Sequence, residues 1–222
     1  MTARGTRLIH LTLHGPAGAL EALAQEREGD THTLAALVCH PHPLYGGTLH
    51  NKVVHRTAAV LHALGAAVLR FNFRGVGKSD GRFDQGEGEL EDARAALAFL
   101  RARHPQARAW VAGFSFGSWI AARLAASDPH VERLILVAPP VGTHDFAVLR
   151  AARVPKFVFQ GTADEQCPPG ALEAEYPAWA EPKSLAIIDG ATHFFDRQLG
   201  AMAEAMSQAL SGPAPGSTSE ST

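Results

Sequence analysis

Apolar positions along this chain fall into two alternating rhythms. Leu34–Cys39 (LAALVC), "AAVLRFNF", "ARAWVAGFS", "VERLILVA", "VPKFVFQG" and "KSLAIID" are near-continuous apolar runs. Runs of that kind predict strands covered on both faces. Between them lie stretches with apolar residues three and four apart: "NKVVHRTAAVLHALG", "GELEDARAALAFLRARHP", "GSWIAARLAAS" and "FFDRQLGAMAEAMSQALS". These predict amphipathic helices, the first closed by Gly65 and the second acidic at its start and basic at its end, as the helix dipole favours. "GALEAEYPAWA" predicts a helix broken near Pro177. The opening "RLIHLTLHGPAGALEALAQER" reads differently, as two strands around a GPAG turn.

Strands alternating with helices across short connections predict an α/β fold: a mostly parallel central sheet flanked by helices, with an N-terminal antiparallel hairpin. A single domain is expected over residues 1–211. The tail from Gly212 to Thr222, GPAPGSTSEST, has little apolar content to bury and is expected to be disordered.

Composition narrows the function classes. The chain has 222 residues, 46% hydrophobic and 19% charged, with a formal net charge of −2. That balance gives no electrostatic reason to expect nucleic acid or an anionic membrane surface as partner. No apolar run approaches the roughly 18 residues of a spanning helix, and the N-terminus alternates instead of forming a signal-peptide core. A cytoplasmic protein, monomer or homodimer, is the expectation. Two cysteines exclude a disulfide framework or a four-cysteine zinc site. Cys39, at a strand end, reads as a small buried hydrophobe; Cys167, in a proline-rich loop, is expected to be partly exposed and is given no role.

Candidate chemistry centres on "GFSFGS". Gly113-Phe114-Ser115-Phe116-Gly117 is a short pattern that arises by chance, but here it stands between a strand and a helix. That is the setting in which a serine is held on a sharp turn, with small residues two positions away on either side. Serine needs a base and an orienting acid. Asp164, with Glu165 as a rival, follows the strand KFVFQG, and His193 follows SLAIID. All three positions fall at the carboxyl ends of strands, where functional groups gather on such sheets. The backbone N–H of Phe116 is one expected oxyanion donor. The second is expected from the loop "HPHPLYGG", where Pro41 and Pro43 lack an N–H; Leu44 is favoured, with His42 next and Tyr45 available. Tyr45, Phe114, Trp119 and Phe194 are candidate substrate-binding walls. His40 and His42, with His50 and His55 nearby, invite a metal reading, yet no carboxylate stands at ligand spacing, so His40 is expected to anchor the loop. "FRGVGKSDG" lacks the glycine spacing of a phosphate-binding loop.

Together "HPHPLYGGT…NKVV", "FNFRGVGKSDG", "GFSFGS", "QGTADEQCP" and "GATHFF" resemble the α/β-hydrolase superfamily over nearly the whole ordered length. They are similar to a group of small, lidless bacterial serine hydrolases related to dienelactone hydrolases and to predicted esterases. The resemblance implies Ser115 as nucleophile, Asp164 as acid and His193 as base. Dienelactone hydrolases carry cysteine where this chain has Ser115, which argues against that activity. The short stretch "PPVGTHDFAVLRAAR" leaves no room for a large lid, so an open, shallow site is expected. The expected activity is a carboxylesterase on short-chain or small acyl esters, needing no metal or organic cofactor. A thioesterase or peptidase with the same three residues, or a non-catalytic binding protein on the same fold, is the alternative.

Overall fold

A computed structural model describes residues 5–29, 31–212 and 215. Eight strands form one sheet: β1 (Thr6–Gly15), β2 (Gly18–Arg27), β3 (Leu34–Cys39), β4 (Ala67–Phe71), β5 (Arg108–Phe114), β6 (Val131–Val137), β7 (Lys156–Gly161) and β8 (Lys183–Ile188). Their spatial order is β1-β2-β4-β3-β5-β6-β7-β8. The hairpin β1–β2 is antiparallel, and β2 joins β4 antiparallel; every pair from β4 to β8 is parallel. Five helices cover it: α1 (Lys52–Ala63), α2 (Glu87–Arg103), α3 (Phe116–Ser127), α4 (Pro169–Glu175) and α5 (Leu199–Ser211).

The continuous apolar runs are explained by burial on both sides. Side chains alternate across the pleat, so Leu37, Leu69, Val111, Leu136 and Val158 pack on one face with Leu97, Leu100, Ile120 and Leu124 of α2 and α3. Val38, Val68, Trp110, Ala112, Ile135, Phe157 and Phe159 pack on the other with Val53, Val54 and Leu61 of α1 and Met202, Met206 and Leu210 of α5. Helix starts are set locally. Asn51 Oδ1 accepts the N–H groups of Val53 and Val54 at 2.9 and 3.5 Å. Glu89 accepts those of Asp84 and Gly86 at 2.9 and 2.7 Å.

The last helix departs from expectation. It begins at Leu199 rather than Phe194, because Phe195 and Arg197 adopt left-handed φ of 53° and 62° that no right-handed helix contains. Gly212 ends α5 in extended backbone; most of the tail expected to be disordered lies outside the described residues. Residues 138–155 between β6 and β7 hold only turns and one short 3-10 turn, Ala147–Arg150. Among the described residues no helix is long and apolar enough to cross a membrane.

Two contacts fix the carboxyl edge of the sheet. A Cβ on Gly117 would lie 2.4 Å from the backbone oxygens of both Cys39 and His40, and one on Gly113 would lie 2.0 Å from Gly117 O. Only glycine lets α3 approach the ends of β3 and β5 this closely. The loop after β3 is then tied to β4. Fully buried His40 donates Nδ1–H to Pro41 O at 2.6 Å and accepts the Phe73 N–H on Nε2 at 3.0 Å. Arg70 donates to Leu49 O, and Asn72 accepts the Leu49 N–H. His40 thus anchors the loop, with both ring nitrogens committed.

Gly117→Ala is expected to destabilise the protein by about 1–3 kcal/mol in urea denaturation. Gly200→Ala, where nothing lies within 4 Å, is expected to stabilise it by about 0.5 kcal/mol. Burial pushes the His40 pKa down to about 4 from 6.5. The unfolded chain therefore binds the proton more readily, and stability falls as pH drops from 6.5 towards 4. The His40 contribution to that loss between pH 7 and pH 5 is about 2 kcal/mol. Denaturation curves of wild type and His40→Gln should differ in slope over that range.

Candidate active site

Ser115 sits where β5 ends and α3 begins, with φ 52° and ψ −124°. This region is sparsely populated for any residue with a side chain and costs about 1–3 kcal/mol. It persists because the surroundings hold it. The Ser115 N–H donates to Val137 O of β6 at 2.9 Å, and its carbonyl accepts the Ser118 N–H and hydroxyl at 2.8 and 2.6 Å. The side chain is left at the edge of the sheet, half-buried.

His193 and Asp164 reach it from two later strand ends. Nε2 of His193 lies 3.1 Å from Ser115 Oγ, and Nδ1 lies 2.9 and 3.1 Å from the two Asp164 oxygens. Because the carboxylate only accepts, Nδ1 carries the proton and Nε2 presents its lone pair to the serine hydroxyl. Asp164 is buried, while its rival Glu165 is exposed. A buried carboxylate needs donors, and this one has them. Oδ1 accepts the N–H groups of Gln166 and Cys167 at 3.0 and 2.8 Å, and Oδ2 accepts Gln160 Nε2–H at 3.1 Å. Gln160 went unremarked in the sequence, although a glutamine near the end of the apolar strand KFVFQG was a visible signal.

The other candidate residues lie around this chain of hydrogen bonds. Phe116 begins α3, so its N–H is among the helix donors without an intrahelical acceptor, beside Ser115. The Leu44 N–H, favoured as second donor, is already committed: it donates to Nδ1 of His42 at 3.2 Å, capping the 3-10 turn Pro43–Tyr45. The Tyr45 N–H donates to His42 O at 3.1 Å. Of the three loop donors, that of His42 has no acceptor among the described residues. The Leu44 and Tyr45 side chains are 66% and 85% exposed, at the rim.

Phe114 is not a pocket wall. It is 1% exposed and lies against the His193 ring, 5.0 Å between centroids, supporting the imidazole from within the core. Phe194 meets the same ring edge-on at 5.1 Å and is half-buried. Trp119 is half-buried, donates Nε1–H to Asp145 O at 2.9 Å, and packs on His144 at 4.7 Å. His42 contacts Phe83, Phe116 and Tyr45 at 4.8, 5.0 and 4.5 Å. One flank of Ser115 is therefore aromatic, with Phe83 and His144 as members that the sequence reading missed; both stand in loops after strand ends. Burial lowers the pKa of His42 and of His144, favouring neutral rings there. Cys167 is not exposed either: at 5% exposure it lies inward, burial pushing its thiol up to about 12. A surface cavity of about 780 Å³ lined by Arg108, Asp128, Arg133 and Arg153 lies at the opposite, amino ends of β5, β6 and β7 and shares none of these groups.

Known proteins share this arrangement of elements. The sequence profile of the alpha/beta hydrolase fold matches residues 44–175. An uncharacterised protein of Rickettsia prowazekii is 39% identical over 191 residues, covering 82% of this chain and 80% of its own. The crystal structure of an α/β serine hydrolase without lid from Xanthomonas campestris is 38% identical, covers 96% of this chain and 97% of that one, and superposes with a TM-score of 0.87. An α/β serine hydrolase homologue of Coxiella burnetii is 40% identical, with 91% and 97% coverage and a TM-score of 0.87. With the family profile matching more than half of the chain and relatives of 38–40% identity covering most of it, the chain belongs to the α/β-hydrolase family.

Proposed function

We propose that this protein is a serine carboxylesterase that cleaves small acyl esters through an acyl-enzyme intermediate. The observation that carries the reading is the unbroken hydrogen-bond chain from Ser115 through His193 to a fully bonded, buried Asp164. Ser115 Oγ attacks the ester carbonyl carbon as its proton passes to Nε2 of His193. Asp164 stabilises the imidazolium and holds its orientation. The carbonyl oxygen becomes negative and faces the N–H groups of Phe116 and His42, donors fixed before the reaction begins. The imidazolium then protonates the departing alcohol. Water, deprotonated by Nε2, attacks the acyl-serine and releases the acid. The aromatic flank of His42, Phe83 and Tyr45 suits an apolar substituent, and the short β6–β7 connection leaves the approach open.

A fluorophosphonate probe should label wild type at Ser115 and leave Ser115→Ala unlabelled. Ser115→Ala should lower p-nitrophenyl acetate turnover by about 10³-fold or more. An unlabelled wild type, or equal turnover by the two, overturns the reading. Faster turnover of a matched thioester or peptide by wild type would keep Ser115 and replace the ester assignment. The donor assignment has its own test. His42 has φ −52°, within the range proline adopts. His42→Pro deletes the N–H, whereas His42→Ala keeps it. The proline variant should show kcat about 10²–10³-fold below the alanine variant; equal kcat values place the second donor elsewhere.

A further inference from the structure

The group that the proposed reaction leaves unused is the Cys167 thiol. Its sulfur, an imidazole nitrogen of His193 and a carboxylate oxygen of Asp164 all lie within 4.8 Å of one another, and all three residues are buried. Sulfur, nitrogen and oxygen donors converging in this way form the mixed set that a borderline-soft divalent ion takes. Metal–ligand bonds of about 2.0–2.3 Å place tetrahedral ligand atoms about 3.3–3.8 Å apart, so an ion needs the His193–Asp164 pair, now 2.9 and 3.1 Å apart, to open slightly as the sulfur joins it. The surroundings are polar as well as enclosed. Gln160 touches both Asp164 Oδ2 and Cys167 O through Nε2, and its Oε1 is buried with no partner among the described residues.

We propose that Asp164, Cys167 and His193 form an inhibitory site for zinc and related soft divalent ions. The ion binds the Cys167 sulfur as its thiol proton leaves to solvent, together with Asp164 and Nδ1 of His193. Nδ1 now holds the metal, so the imidazole proton moves to Nε2. That nitrogen then carries a hydrogen where the serine hydroxyl needs an acceptor, and the base is disabled without any change of fold. The activity consequence rests on the serine-hydrolase reading; the binding does not. Among the described residues, other buried nucleophilic or basic groups offer no such set: His40 has both nitrogens bonded, and Lys156 donates to Ala152 O and Ala180 O at 2.7 Å each.

The test uses the full chain, stripped with EDTA and dialysed. Titration with Cd²⁺ should raise a thiolate-to-cadmium charge-transfer absorption to a one-to-one endpoint in wild type and in Cys39→Ala, and not in Cys167→Ala or Cys167→Ser. Circular dichroism establishes that each variant is folded, and the serine variant serves if the alanine variant is not. In parallel, micromolar Zn²⁺ should slow wild-type p-nitrophenyl acetate hydrolysis by about tenfold or more, reversibly with EDTA. The ratio of rates with and without zinc should stay within about twofold for the Cys167 variants. No absorption in wild type, absorption that persists in both Cys167 variants, or equal zinc sensitivity of wild type and variants overturns the proposal. If wild type hydrolyses no ester at all, the absorption arm still decides it, and that failure counts against the esterase reading alone.

Discussion

The site depends on one close packing contact, that of Gly117 against the backbone oxygens of Cys39 and His40. It presses the start of α3 onto the end of β3, and so sets two things together. Ser115 is forced into its left-handed turn, and the loop carrying His42 is held next to the N-terminus of α3. Any side chain at position 117 would separate the two and loosen both. The same contact explains why β5 can place Ser115 at the sheet edge without unravelling. The strain at Ser115 is opposed by its bonds to Val137 and Ser118 and by a core that packs α3 through Ile120 and Leu124.

Electrostatic order at the site comes from a different source. Burying a carboxylate is costly unless its oxygens are bonded, and the loop after β7 supplies its own donors. Gln166 and Cys167 of that loop hold Asp164 together with Gln160 at the end of β7 and His193 after β8. His193 lies between this rigid acid and the strained serine, with Phe114 beneath its ring and Phe194 at its edge. The imidazole is thus confined in position and in tautomer. His40 does for the β3 loop what Asp164 does for the β7 loop: a buried polar group with all its bonds made fixes the backbone around it.

Much of this was legible in the sequence. Continuous apolar runs reported the parallel strands because both faces of the sheet are covered, and the alternating hairpin reported its own partial exposure. Ser115, Asp164 and His193 were legible because each ends a strand. What was not legible depends on three-dimensional closure. His42 turns its ring back to cap the next N–H, which disqualifies Leu44, and no residue spacing shows that. Phe114 could have been placed by parity: it shares a face with Trp110 and Ala112, both core residues against α1 and α5. Proline-rich composition suggested exposure for Cys167, but Asp164 draws that stretch inward through the Cys167 N–H. The start of α5 was hidden because Phe195 and Arg197 adopt left-handed backbone without being glycine.

The three residues of the hydrogen-bonded chain do not enter the structure together. Ser115 follows the central strand β5 and Asp164 follows β7, the next strand but one, whereas His193 follows β8, an edge strand of the sheet. During synthesis the serine and the acid leave the ribosome well before the histidine. A chain interrupted ahead of β8 carries the turn and the acid's loop but nothing to draw a proton from the hydroxyl. On the proposed reading the base therefore joins the serine and the acid last, when the edge strand and final helix dock.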